Sequence, residues 1–475
     1  MKKNIFLMAG FALMLASCND DYLDINREDQ IQAVNFFQTS EDAQQATAAI
    51  YANLRTWELN SFATFTISIA SDDAEKGSTP GDASFFNAYN NYTFSPTEGQ
   101  INDYWKGQYR GINLCNQVIS NLPGIAMDET LKARLIAEAR FVRGYHYFNL
   151  VRTYGGVPIY NGLPADGNYN IPRNTSDEVY AFIIADLAAA REILPTSYSA
   201  VEVGRATKGA ANAYLSKVYL YKKDWALALQ YSNEVIGGGY DLLPNYNSVF
   251  RIANENSVES IFEAQANFVA GNCTVSNSQY SQTQGVAGQF GWGFNVPSND
   301  LAASYETGDV RRDATILFRG ETTPEGDLIN ATGANPMYNQ KSYVPLAQIG
   351  PGCSEGSEQN VRLMRFAEVL LINAEAANES GNTTLAQQSL NKVRTRAGLA
   401  NTTANDQATI RTAIWKERRS EMAMEGDRFW DVVRQGRGAE VFGPLGFTAG
   451  KNEIFPIPFD AVSLSNNVLT QNPGY

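Results

Sequence analysis

Residues 206–237 read ATKGAANAYLSKVYLYKKDWALALQYSNEVIG, and the fold turns on that stretch. A helical period runs from Ala206 through Tyr219, breaks at Lys223-Asp224 and resumes with Trp225-Ala226-Leu227-Ala228. Equal periods on either side of a short polar break predict an antiparallel helix pair, 206–222 and 224–237. Residues 361–397 repeat the plan. They turn at Gly381-Asn382 and place Ala386, Gln388, Asn391 and Val393 where the first pair has Ala228, Gln230, Asn233 and Val235. The small alanines let paired helices approach, and the larger apolar residues fill the gaps between pairs, as in tetratricopeptide-like stacks. The full consensus of that repeat is absent.

Further helical periods cover about 41–58, 105–121, 130–154, 175–194, 361–380, 384–397 and 408–435. Two stretches differ, about 59–100 and about 239–360. They are rich in Asn, Gly and Ser with scattered aromatic residues and read as loops and short strands. No Pro/Ser linker or long charge run divides the chain, so the expected fold is mainly α, one domain over 18–475, with helical pairs carrying large irregular insertions. Loops held by a rigid stack form a natural recognition surface.

The N-terminus reads Met1-Lys2-Lys3, an apolar run from Ile5 to Leu15, then Leu15-Ala16-Ser17-Cys18. That is a secretory signal over 1–17 ending in a lipobox, with Cys18 as the acylated residue. The run is shorter than the roughly 20 residues a spanning helix needs. Losing Lys2 and Lys3 takes the net charge from -13 to -15, which disfavours nucleic acid and anionic lipid as partners. Cys115 reads as a buried apolar group. Cys273 and Cys353 could bridge, but three cysteines make neither a disulfide scaffold nor a zinc site.

No Gly-x-Ser-x-Gly elbow, phosphate-binding Gly-x-x-x-x-Gly-Lys loop or His-Glu-x-x-His zinc helix occurs. The single histidine, His146, falls mid-helix and reads as packed. A glycoside hydrolase would need only two carboxylates, and the candidates are Asp72-Asp73 and the cluster Glu417, Glu421, Glu425 and Asp427. The cluster alternates with Arg418, Arg419 and Arg428 at helical spacing and reads as an ion-paired structural helix. Asp72 could instead accept a sugar hydroxyl.

Ordered motifs along the mature chain carry a family resemblance. Tyr22-Leu23-Asp24 comes first, without the family's usual proline a few residues after Leu-Asp, and Asn35-Phe36-Phe37 follows. Then come Trp105, Tyr109, Arg110, Gly111, Ile112, Asn113 and Asn116, and later Ala139-Arg140-Phe141-Val142-Arg143-Gly144-Tyr145 and Tyr154-Gly155-Gly156-Val157-Pro158. Arg362, Arg365-Phe366-Ala367-Glu368, Glu417-Arg418-Arg419 and Gly426-Asp427-Arg428-Phe429-Trp430-Asp431 close the series. With these the chain resembles the SusD/RagB family of Bacteroidetes outer-membrane lipoproteins. The resemblance implies a non-catalytic, lipid-anchored protein on the outer membrane, facing the cell exterior. It also implies a SusC-like TonB-dependent transporter as partner, an oligosaccharide or polysaccharide ligand, and no cofactor; a structural calcium stays open. RagB-like relatives that bind peptides and serve a peptide transporter are the alternative.

Sugar rings have apolar faces that stack on Trp or Tyr while Asp, Asn and Gln take the hydroxyls. Trp105, Trp225, Trp415 and Trp430 fall in packed helices, leaving Trp292 and Trp57. Trp292, with Phe290 and Asn295 in Gly288-Gln289-Phe290-Gly291-Trp292-Gly293-Phe294-Asn295, is the first candidate. Trp57, Asp72, Phe85, Tyr89 and Tyr280 are the others.

Overall fold

The structure, a computed structural model, describes residues 36–269, 275–289, 291–349 and 356–475, without the side chains of 61–65. The leader with Cys18, and also Cys273, Cys353 and Phe290, lie outside the described residues. The longer helices are α1 Ser40–Leu54, α2 Phe62–Ile69, α3 Gly99–Asn121, α4 Glu129–Tyr154, α5 Ser176–Ile193 and α6 Lys208–Lys222. They continue with α7 Trp225–Ile236, α8 Phe366–Glu379, α9 Thr383–Arg396, α10 Gln407–Met422 and α11 Arg428–Arg434.

Helix ends follow local chemistry. Thr39 and Asp42 form a reciprocal capping box at the start of α1, and Thr175 and Glu178 do the same for α5. The two hairpins picked out by the repeat turn alike. Lys223 takes a left-handed φ of 58° and Asp224 accepts the Leu227 amide; Gly381 takes φ 82° and Asn382 accepts the Leu385 amide. From α3 to α9 each helix packs on the next, with α1 laid across α3 and α4. The larger irregular stretch lies between α7 and α8, yet these two are neighbours. Asn373 Nδ2 on α8 donates to Ser232 Oγ (3.0 Å) and Asn233 Oδ1 (2.8 Å) on α7.

Three expected boundaries are corrected. Residues 361–365 are not helical but form strand β4, Val361–Arg365, antiparallel to β2, Ser260–Ala264, with Ala264 opposite Val361. The ladder satisfies backbone groups and buries Val361 and Met364, and tertiary pairing overrides the helical period. The block 408–435 is broken: α10 ends at Met422, and Met424 (φ 63°) and Gly426 (φ 87°) redirect the chain into α11. The first block ends at Leu54, and Trp57–Ser61 form a separate π-helical turn before α2. Residues 59–100 are also less open than their composition suggests, because Phe86, Tyr89, Tyr92 and Phe94 all sit in the main core.

His146 and Cys115 are buried as expected. The imidazole Nδ1 lies 2.7 Å from Gln108 Oε1, and burial pushes its pKa down to about 3. Its Nε2 faces Gly111, where a Cβ would collide with that nitrogen and lie 2.7 Å from Asn53 Nδ2 of α1. Gly111→Ala is expected to cost about 1–3 kcal/mol by overpacking the crossing of α1, α3 and α4. Urea unfolding reads it, and an unchanged midpoint would mean α1 can move aside freely.

Candidate functional site

The two irregular stretches meet in a short ladder. Strand β1, Ala74–Gly77, pairs antiparallel with β3, Phe294–Pro297, setting Gly77 opposite Phe294, and the Ser78 amide donates to Gly293 O at 2.6 Å. The chain therefore leaves β1 toward Phe85 at the end where it enters β3 from Trp292. Gly77 is required for this approach: its φ is 73° and a Cβ would collide with Gly293 O.

At this end the large apolar side chains stand out of the core. Phe85 is 44% exposed, Trp292 39% and Leu328 65%. Each sits on a fixed support. Phe85 packs on Phe86 (ring centroids 4.6 Å apart), and Phe86 on Phe294 (5.7 Å). The Trp292 amide donates to Gln282 O at 2.9 Å. Gln289 Nε2 donates to Leu328 O at 2.6 Å, and its Oε1 accepts the Asn330 amide at 2.9 Å, tying the loop before Trp292 to the loop that carries Leu328. Lys76 clasps the 78–83 loop from below, donating to Thr79 O (2.8 Å) and Asp82 O (2.7 Å). Ser78 Oγ donates to Asp82 Oδ2 (2.7 Å), leaving the other Asp82 oxygen at the surface. The result is an aromatic platform with a polar margin. It can stack an apolar ring face and bond hydroxyls at its edge.

The remaining sequence candidates divide. Asn295 is buried behind the platform, donating to Gln284 Oε1 at 2.8 Å. Tyr280 begins the short helix Tyr280–Gln284, which packs on the π turn begun by Trp57, and Tyr280 lines an interior polar cavity of about 80 Å³. Both Trp57 and Tyr280 are half-buried. Tyr89 is corrected from a surface candidate to a core residue: it is fully buried, with its hydroxyl on Gln100 Oε1 (2.9 Å). Asp72 is likewise corrected. Its carboxylate takes two bonds from Arg428 (2.7 and 2.8 Å) and a contact from Arg419 (3.0 Å). Burial pushes its pKa up, but the two guanidiniums outweigh burial and hold it below the usual range. An acceptor so occupied has little left for a sugar hydroxyl. Ser78, Asp82, Gln289 and Leu328 escaped the sequence reading, since nothing local in AEKG or in the Leu328 loop marks them as neighbours of Trp292.

The possible hydrolytic carboxylates are structural. Glu417, Glu421, Glu425 and Asp427 are held by Arg311, Arg365, Arg394, Arg396, Lys341, Arg152 and Lys217. Asp73 bonds Arg419 (2.8 Å). Among the described residues no cluster of three or more His, Cys, Asp or Glu could hold a metal ion.

Comparison with known proteins gives consistent matches. A family model described as starch-binding and associating with the outer membrane matches residues 21–220, and the SusD family model matches 317–475. The chain is 30% identical to SusD-like protein P2 of Formosa agariphila, with all of both chains covered. It is 24% identical to the starch-binding protein SusD of Bacteroides thetaiotaomicron over 76% of each chain. Among solved structures, a laminarin-binding SusD-like protein superposes with a TM-score of 0.82 at 30% identity, covering 92% of this chain and all of that one. Surface glycan-binding protein A from Bacteroides thetaiotaomicron, in complex with laminarihexaose, gives 0.79 at 23% identity, covering 92% and 100%, and shows the same fold.

Proposed function

Because this chain belongs to the SusD/RagB family, we propose that it captures oligosaccharides at the cell surface and passes them to a TonB-dependent outer-membrane transporter, without cleaving them. The observation that carries the reading is the Phe85–Trp292 platform. It sets exposed rings from both irregular stretches on one rigid ladder end, beside Asp82 and Gln289. The laminarin-binding relative at 30% identity supports a neutral glucan as ligand. Anchoring through acylated Cys18 is part of the same reading and would hold the platform at the outer face of the membrane.

Trp292→Ala removes one stacking surface and leaves the ladder intact. Affinity for laminarin, measured by affinity electrophoresis and calorimetry, is expected to fall about tenfold, equivalent to about 1.4 kcal/mol. The thermal midpoint should not move. Full affinity in the variant would remove Trp292 from the site, and capture of extended peptides with silence on glycans would favour the peptide-binding branch.

A further inference from the structure

A second binding cleft lies on the helical half, and we propose that it is an independent subsite for a neutral sugar ring. This rests on the glycan-binding reading above but uses none of the platform's residues. The cleft has a volume of about 300 Å³, at the lower end for small-ligand sites. It opens between α3, the 158–170 segment and the C-terminal helix α12, Phe459–Leu464.

Its wall is a run of four aromatic rings, each in contact with the next. Trp105 and Tyr109 have centroids 4.8 Å apart, Tyr109 and Tyr160 5.7 Å, and Tyr160 and Tyr169 5.5 Å. Two phenol hydroxyls are taken up by backbone bonds. Tyr109 Oη donates to Pro158 O (3.0 Å) and Tyr160 Oη to Tyr169 O (2.6 Å). The Tyr109 bond ties the 158–170 segment to α3, aided by Asn116 Nδ2 on Tyr160 O (2.9 Å), and the Tyr160 bond closes the segment on itself, so the rings are held in place before any ligand arrives.

Charge and hydrogen bonding select the ligand. None of the residues lining the cleft is charged, although the chain carries 87 charged residues (37 basic plus 50 acidic). An ionic ligand would find no counter-charge there. The lining does offer the half-buried Asn113 and the exposed Asn170 side chains as hydrogen-bonding groups. Side-chain amides beside aromatic rings suit a molecule with apolar faces and hydroxyls at its edge. Tyr169 (46% exposed) and Leu464 (75%) form the rim, so the cleft is reachable from solvent.

The test titrates detergent-solubilised full-length protein with laminarihexaose and with maltohexaose by calorimetry, in the wild type, Trp292→Ala, the cleft pair Tyr169→Ala/Asn113→Ala, and the combination. The cleft pair alters two solvent-accessible side chains, and its thermal midpoint is measured alongside. Two binding events per chain in the wild type, the platform event weakened about tenfold in Trp292→Ala, the cleft event lost in the cleft pair, and only the weakened platform event left in the combination, is the expected pattern. A single binding event that Trp292→Ala weakens and the cleft pair leaves untouched overturns the cleft and leaves the platform standing. Absence of heat with both glycans in the wild type overturns the glycan-binding reading itself. Loss of affinity for a partner membrane protein, with unchanged glycan stoichiometry in the cleft pair, also overturns the sugar assignment.

Discussion

Arg365→Met is expected to destabilise the protein by about 3–5 kcal/mol, the cost of uncompensated buried charge. Arg365 is fully buried at the junction of β4 and α8. Its Nε and Nη2 each reach Glu425 at 2.7 Å, Nη1 reaches Glu259 and Glu421 at 3.0 Å, and Nη2 also bonds Glu421 O at 3.1 Å. One guanidinium therefore joins the residue before β2, the end of α10 and the turn into α11. Methionine fills much of the space but leaves three buried carboxylates sharing Arg396, Arg311 and Lys341. Urea unfolding of wild type and variant gives the difference. A loss below about 1 kcal/mol would mean that the neighbouring cations compensate and that this node does not hold the two halves together.

Glu255 offers the second large effect, and it depends on pH. Burial pushes its carboxyl up to about 7 from an ordinary 4.5, and Glu263 adds to this, against the opposing pull of the Asn360 amide at 2.7 Å and of Arg362 at 3.4 Å. A carboxyl whose pKa is raised on folding favours the fold while protonated. Its contribution is present below pH 4.5 and is lost as pH rises through 7, by about 3 kcal/mol in total. Glu255→Gln imitates the protonated form at every pH and can still accept the Asn360 amide. Relative to wild type, the variant should gain that much stability between pH 4.5 and 7.5, read as the difference between two urea-unfolding series. Parallel pH profiles would refute it. The effect runs opposite to that of Glu421, which Arg396, Arg365 and Arg311 hold well below the usual range despite its burial, and which stabilises the protein until strong acid.

How much could be read before folding depends on how far apart the deciding residues lie. The helical blocks, apart from their ends at Leu54, Val361–Arg365 and Met422, and the twin turns at Lys223-Asp224 and Gly381-Asn382 are set by residues within four positions of each other, and the sequence determined them unaided. That Glu417, Glu421 and Glu425 are ion-paired was legible, but their partners were not: the arginines that alternate with them, Arg418, Arg419 and Arg428, turn to Glu368, Asp73 and Asp72, and the glutamates pair instead with Arg311, Arg365, Arg394, Arg396 and Lys341 from distant segments. The exposure of Trp292 was legible too, because glycines flank it.

What tertiary structure alone decided is the partner across long separations. Residues 361–365 carry a helical period and still become a strand, because β2 presents unpaired backbone groups about a hundred residues upstream. Asp72 and Tyr89 sit among loop-forming residues and still end in the interior, one on Arg428 and one in the main core, because burial belongs to the assembled packing and not to composition. Phe85 and Trp292 share one surface only through the β1–β3 ladder, and the four rings of the second cleft come from two segments that local sequence does not connect. Periodicity and capping are short-range and survive in the bare chain, whereas a binding surface forms from residues whose proximity is created by the fold.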